Sequence, residues 1–278
     1  MIKLPERYNY VEAYLTFRCN LNCSYCINKY DSLDKRKELT GDEWIKIFNN
    51  IDLGNVSLTL GGGEPTLHKD FYKIVHEVGK EKNIDLLTNG QFNIDEFVRN
   101  IKPTDFTQSP ILFYHPIRIS YHTESADKVD LIERVKELRK SDFNAAIFGL
   151  THPHYINDNM AMSFHCNKAG IPFYLKDFLG KVEGKLFGFY KYPEGLDGIE
   201  KNVECRTREL LIAPDGNVFG CHRDLYHNEH NIGNLLDEDF TIEDKFRPCS
   251  NYGTCNPCDL KAKTNKYLKG VECQIEIK

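Results

Sequence analysis

No apolar run in the chain approaches the roughly 18–20 residues that a membrane-spanning helix needs. The opening residues MIKLPERYNY also lack the apolar core of a secretory signal. Both absences lead to the expectation of a cytoplasmic protein that makes no membrane contact. An excess of one charge is missing too. Against 41 acidic residues stand 36 basic ones, a net charge of −5 that leaves no electrostatic footprint for a nucleic acid. There is no internal repeat and no low-complexity tract. What is present is a globular composition, 41% hydrophobic and 28% charged over 278 residues. That length suits one large α/β domain, alone or with a small appendage.

Disulfides are rare in the cytosol, so ten cysteines call for metal binding or chemistry instead. Cys19, Cys23 and Cys26 lie within the stretch LTFRCNLNCSYCINK, and Cys166 stands alone. Cys205, Cys221, Cys249, Cys255, Cys258 and Cys273 crowd the last quarter. Two cysteine-dense ends around a cysteine-poor middle point to two separate sites. The N-terminal trio is one thiol too many for a disulfide and one too few for a closed tetrahedral zinc site.

Between these ends the chain alternates strand and helix patterns. YVEAYLTF (10–17) reads as a strand with Val11, Ala13, Leu15 and Phe17 on one face and Tyr10, Glu12, Tyr14 and Thr16 on the other. Glu12 and Tyr14 thereby become candidates for an inner, polar face. TGDEWIKIFNNI (40–51) opens on an N-cap threonine, with Trp44, Ile45, Phe48 and Ile51 at helical spacing. Further strands are expected at 55–60, 84–90, 116–122, 144–152 and 171–180. Helices are expected at 69–79, where a glycine serves as the stop, at 128–141 and at 157–170. Six strand–helix repeats give a parallel sheet, either a partial barrel or an open doubly wound one, and periodicity does not separate the two.

The pattern changes after Gly180. GKVEGKLFGFYKYPEG reads as a linker, and ELLIAPDGNVFGCH (209–222) as a hairpin turning at PDG. FRPCSNYGTCNPCDLKAKTNKY is loop-like, with too few apolar residues for its own core, so a metal staple is expected there. The organisation expected is a barrel over residues 1–180, a linker over 181–204 and a small domain over 205–278.

The spacing C-x3-C-x2-C directly after a strand, with Tyr25 before its last cysteine, resembles the cluster loop of the radical S-adenosylmethionine superfamily. The resemblance implies an α/β fold, a partial (β/α)6 TIM-like barrel. It also implies that Cys19, Cys23 and Cys26 bind a [4Fe–4S] cluster whose fourth iron takes S-adenosylmethionine. Reductive cleavage would then give methionine and a 5′-deoxyadenosyl radical that abstracts hydrogen from substrate, with electrons from a flavodoxin- or ferredoxin-type reductant. GGGEP after the second strand resembles the segment that binds the methionine amino group, which carries that role to Gly62, Gly63 and Glu64. Asn89 in LLTNG and Ser120 on the fourth strand match further contacts to the cosubstrate, Ser120 on its ribose. AAIFGLTH matches the adenine-binding segment loosely, keeping Ile147 and Gly149.

The C-terminal cysteines resemble the auxiliary-cluster extension of the same superfamily, called twitch in its short form and SPASM in its longer one. The longer form needs more cysteines than the six that follow residue 200. The short form is therefore expected, a small β-hairpin and loop domain with one auxiliary [4Fe–4S] cluster on Cys205, Cys221, Cys255 and Cys258. Cys249 competes for a place, and Cys166 and Cys273 are plain thiols. Four thiolates that include a C-x2-C pair also suit zinc. His122, Lys176 and Asp177 are the candidate catalytic residues, and His222 could tune the cluster or the substrate.

A small polar, sugar-like substrate undergoing oxidation or epimerisation is expected, because only about 10 residues precede the first strand. A peptide-modifying enzyme is the alternative within the superfamily. An iron–sulfur or zinc sensor or scaffold is the alternative outside enzymology.

Overall fold

The computed structural model describes residues 1–26, 36–111, 113–264 and 271–278. The end of the stretch quoted for the first cysteines (27–29) and of the cysteine-bearing C-terminal loop (265–267) lies outside them. Six parallel strands form the frame: β1 (Tyr10–Thr16), β2 (Leu58–Gly62), β3 (Ile84–Thr88), β4 (Ile117–Ser120), β5 (Ala145–Leu150) and β6 (Phe173–Lys176). Each pairs in parallel with the next in sequence, from β1 through β6. A doubly wound sheet would reverse its strand order at a switch point. This order runs straight, as the staves of a partial barrel do.

Helices α1 (Gly41–Asn49), α2 (Phe71–Gly79), α3 (Ile94–Asn100), α4 (Lys128–Lys140) and α5 (Ile156–Lys168) connect the strands. Thr40 caps α1 in a capping box with Glu43, so two backbone donors of the first turn are satisfied reciprocally. Trp44, Ile47 and Phe48 of that helix are buried against the sheet, each contributing about 1.5–3 kcal/mol by removal from water. The helix ends at Gly79 as expected, but not through a left-handed glycine. The glycine sits inside the last turn of α2, where a Cβ would lie 2.5 Å from the carbonyl oxygen of Asp105. It serves close packing rather than a left-handed turn. The helix α3 was not expected, although Asn93 caps it by accepting from Glu96 N.

The alternation read in β1 holds as far as the strand does. Val11, Ala13 and Leu15 enter the main core, while Tyr10, Glu12 and Tyr14 face a cavity inside the barrel. The strand ends at Thr16, and Phe17 swings to the other side, its ring 5.8 Å from that of Tyr14.

Within 181–204 the chain forms a small hairpin, β7 (Gly180–Val182) and β8 (Lys185–Phe187), and a 3-10 turn at Pro193–Leu196. Next comes β9 (Lys201–Thr207), which lies between β13 (Arg247–Tyr252) and β14 (Ile275–Ile277) in an antiparallel sheet. The hairpin expected at 209–222 is present as β10 (Glu209–Ile212) and β11 (Asn217–Phe219), with β12 (Gly233–Asn234) beside it. Strand β10 pairs in parallel with β1, Glu209 opposite Tyr10 and Ile212 opposite Ala13. One nine-stranded sheet thus runs from the C-terminal hairpin through the barrel to β6. Leu211, Ala213, Phe219 and Leu225 pack with Tyr14 in a second cluster over that junction. Among the described residues no helix is long and apolar enough to cross a membrane.

Candidate active site

A cavity of about 770 Å³ opens at the carboxyl ends of the strands, where α/β barrels carry their sites. It is lined by the loop after β1 with Cys23, Tyr25 and Cys26, by residues of β1 and of β3 to β6, by Phe178, Leu179 and Phe189, and by residues beyond position 220.

The loop after β1 is held on both sides. Beneath it, Gly63 N donates to Thr16 O at 2.9 Å and Glu64 N to Arg18 O at 2.8 Å. A Cβ on Gly62, at φ +134°, would sit 2.2 Å from Thr16 O, and one on Gly63 would sit 2.2 Å from Arg18 O. The glycines of GGGEP are required because two backbones touch there. Glu64 is fully buried. Its Oε1 accepts from Thr66 and from Thr88 Oγ1 (2.8 Å), and its Oε2 accepts from Asn89 N (2.7 Å). Asn89 in turn donates to Asn20 Oδ1 at 2.6 Å. Gly62, Gly63, Glu64 and Asn89 therefore brace the loop from behind, while Ser120 lines the cavity itself.

On the other side, Glu124 accepts from Ser24 N at 2.8 Å, from Ser24 Oγ and from Tyr155 Oη at 2.7 Å. The ring of Tyr25 stacks with His122 at 6.3 Å and lies 5.6 Å from His152 and 5.7 Å from Tyr155. Neither Glu124 nor this aromatic box was expected from the sequence. The residues come from the loops after β1, β4 and β5, and only folding joins them.

Burial, reinforced by the neighbouring Cys26 and Cys19, pushes the Cys23 thiol up to about 11. Three thiols this close repel as thiolates, which a bound metal centre would offset. The donor set suits an iron–sulfur cluster with one ligand position left to something else. Cys23 Sγ also lies 3.3 Å from His122 Nδ1. Burial drives that imidazole down to about 4, against the opposing pull of Glu124 and with help from Lys176, so it is neutral near pH 7.

Cys205 on β9, Cys221 capping α6 (His222–His227), Cys255, and Cys258 on α7 (Pro257–Leu260) form the second set. Burial, then Cys249, Asp259 and Cys255, raise the Cys205 thiol above its ordinary value. Burial and Asp259 do the same to Cys255, to about 12. Cys249 thus stands within this group, whereas Cys258 lines the cavity with Lys261 Nζ 3.9 Å from its sulfur. Cys166 is buried in the main core and Cys273 in a small cluster near β14.

His222 sits at the junction. Its Nδ1 donates to Asp259 Oδ1 at 2.7 Å and lies 3.2 Å from Glu209 Oε1, both carboxylates being buried. Burial alone would lower the imidazole, but Glu209 and Asp259 outweigh it and hold it well above its usual value. Its stabilising contribution is complete below the unfolded histidine value and fades as pH rises through the higher folded one. Asp259→Ala removes one of the two buried carboxylates that hold the charged imidazole and the acceptor for His222 N, so we expect a loss of about 1.5–3 kcal/mol in urea unfolding. A loss under about 1 kcal/mol would mean that the pair is not a buried ion pair.

Lys176 and Asp177 both line the cavity, since β6 ends at Lys176 and alternation stops there. The Lys176 ammonium stands 4.8 Å above the ring of Phe148.

The family model of the Radical SAM superfamily matches residues 14–162. GTP 3',8-cyclase of Aquifex aeolicus (strain VF5) is 38% identical over 99 residues, a match covering 32% of this chain and 30% of that enzyme. The chain thus matches under a third of that relative's length. Among solved structures, hexahistidine-tagged anSMEcpe with bound AdoMet superposes with a TM-score of 0.55 at 17% identity, over 82% of this chain and 78% of that one. Native anSMEcpe with bound AdoMet and the Kp18Cys peptide gives 0.56 at 16% identity, over 82% and 77%. At these identities the likeness is one of fold.

Proposed function

Because the chain belongs to the radical SAM superfamily, we propose that it functionalises a C–H bond of a small polar, sugar-like substrate, by oxidation or epimerisation, in the cavity described above. Cys19, Cys23 and Cys26 would hold a [4Fe–4S] cluster, which with S-adenosylmethionine and a flavodoxin- or ferredoxin-type reductant would supply the hydrogen-abstracting radical chemistry. The chain's own residues bind, orient and shield. The Glu64–Asn89–Asn20 bracing fixes the cysteine loop against β2 and β3. Tyr25, His152 and Tyr155 keep water from one side of it, and Ser120 offers a hydroxyl to the cosubstrate. We assign the second set of thiols, Cys205, Cys221, Cys255 and Cys258, to an auxiliary [4Fe–4S] cluster, with Cys249 the competing ligand.

The observation that carries this reading is that one cavity touches both cysteine-rich ends, with Cys23 and Cys26 on one wall and Cys258 on another. That continuity supports oxidation. In such an oxidation a base among His122, Lys176 and Asp177 would accept the proton, and a second cluster held by the C-terminal cysteines would supply the acceptor for the electron.

A peptide substrate is favoured by one feature. Strand β6 ends the sheet, and its Leu175 is 55% exposed beside the cavity. An extended peptide pairs with such an edge.

Anaerobically reconstituted, reduced protein incubated with S-adenosylmethionine tests the proposal. We expect methionine, 5′-deoxyadenosine and about eight irons per chain. No 5′-deoxyadenosine at full iron content would remove the enzyme reading in favour of a sensor or scaffold. About four irons with one zinc would remove the auxiliary cluster.

A further inference from the structure

Arg118, near the start of β4, and Lys176, at the carboxyl end of β6, both line the cavity, and the chain does little to neutralise them. Arg118 leans on the buried Asp85, its Nη2 3.4 Å from Oδ2, a long contact for a charged pair. Asp85 is already served by Tyr114 Oη at 2.6 and 2.7 Å and by Thr107 Oγ1 at 2.8 Å. The Nε of Arg118 is buried and has no hydrogen-bond partner among the described residues. Lys176 has the ring of Phe148 beside it and no ion pair with a carboxylate among the described residues. Of the acids lining the cavity, Glu12 accepts from Tyr10 Oη at 2.6 Å through Oε2, and neither it nor Asp177 forms an ion pair with either cation among the described residues. Lys261 adds a third cation, turned towards Cys258.

We propose that this part of the cavity is an anion-recognition site, in which Arg118 and Lys176 together hold a carboxylate or phosphate group of the substrate. The proposal rests on the reading of the cavity as the substrate site and names a class within it, a polar molecule that carries an anion. Two like charges facing each other in a partly dry cavity are unfavourable, and a shared anion turns both contacts into charge-assisted hydrogen bonds. Consistent with that, burial together with Arg118 and Lys261 draws the Lys176 ammonium down to about 7, against the pull of Glu12. An arginine fork and a lysine point charge form a usual pair for such groups.

The test uses the reconstituted holoprotein, saturated with S-adenosylmethionine so that its own carboxylate is already placed. Calorimetric titrations with inorganic phosphate and with acetate are compared between wild type, Lys176→Met, Lys176→Arg and Arg118→Gln, each first matched for iron content and thermal midpoint. We expect one anion per chain, bound at least about tenfold more weakly by Lys176→Met and Arg118→Gln and within about threefold by Lys176→Arg. The tighter of the two anions gives the substrate's group. Should Arg118→Gln fail to fold, Lys176→Met decides alone. Equal binding by wild type and Lys176→Met overturns the site, and so does wild-type binding weaker than about 10 mM for both anions. A parallel 5′-deoxyadenosine assay keeps the two readings apart. Product without anion binding overturns the anion site alone, and anion binding without product overturns the enzyme reading alone.

Discussion

Cys23→Ala is expected to abolish 5′-deoxyadenosine formation and to lower the iron content from about eight to about four per chain. Cys23 is the central and most buried of its trio at 9% exposure, and its sulfur faces both the cavity and His122. Alanine removes one of only three protein ligands, and the two exposed cysteines that remain cannot retain a cubane. Cys221→Ala should give the complementary result, about four irons with cleavage of S-adenosylmethionine retained. Cys166→Ala is the control. It lies in the core against other apolar side chains, so it should lower stability modestly and leave iron and product unchanged. Full iron in Cys23→Ala, or equal iron loss in Cys166→Ala, would contradict the assignment of the trio.

Gly63→Val should have the second large effect, on the fold and the cysteine loop together. The new Cβ would stand 2.2 Å from Arg18 O and 2.6 Å from Phe17 O, and backbone atoms cannot turn aside as a side chain can. Either the hydrogen bonds from Gly63 N and Glu64 N to the loop break, or the loop lifts off β2. We expect a loss of about 3 kcal/mol or more in denaturant unfolding, together with failure to retain the first cluster. Gly54→Ala serves as the comparison. That glycine has φ +55° but open space around it, so it should show only the backbone penalty of about 1 kcal/mol. Similar losses in both variants would mean that the close approach beneath the cysteine loop carries no energetic weight.

What the sequence revealed, and what it hid, divides by the range of the interaction. Strand β1 was legible because its two faces differ in chemistry at every step, Val11, Ala13 and Leu15 against Tyr10, Glu12 and Tyr14. Helix α1 was legible from Thr40 and the helical spacing of Trp44, Ile45 and Phe48, and its capping box with Glu43 is complete within four residues. The same local signal at Asn93 and Glu96 is weaker, because α3 is seven residues long and buries only Ile94 and Phe97. At Gly79 two physical needs produce the same letter, a left-handed stop or room for a neighbouring backbone, and only the position of Asp105 decides. The cysteine loop, GGGEP and Ser120 were each visible, but not that the glycines accommodate the loop's own backbone. The His222 site was hidden for a plainer reason. Glu209 looks like the polar first residue of a hairpin and Asp259 like a loop residue 37 positions beyond His222, and nothing local ties them together.

The parallel pairing of β10 with β1 also sets an order of assembly. Tyr10 meets Glu209, so the first stave waits on the ribosome for about 200 residues before its outer edge is closed. Until then that edge offers free N–H and C=O groups beside a Tyr14 not yet covered, the condition under which nascent strands pair with the wrong neighbour. Contacts of such long range slow folding, because the intervening chain must be confined before they form. The chain therefore completes the edge of its first stave only after the other five are made, when the second set of cysteines has begun to emerge. Closure of the sheet and arrival of the C-terminal cysteines fall in the same interval of synthesis.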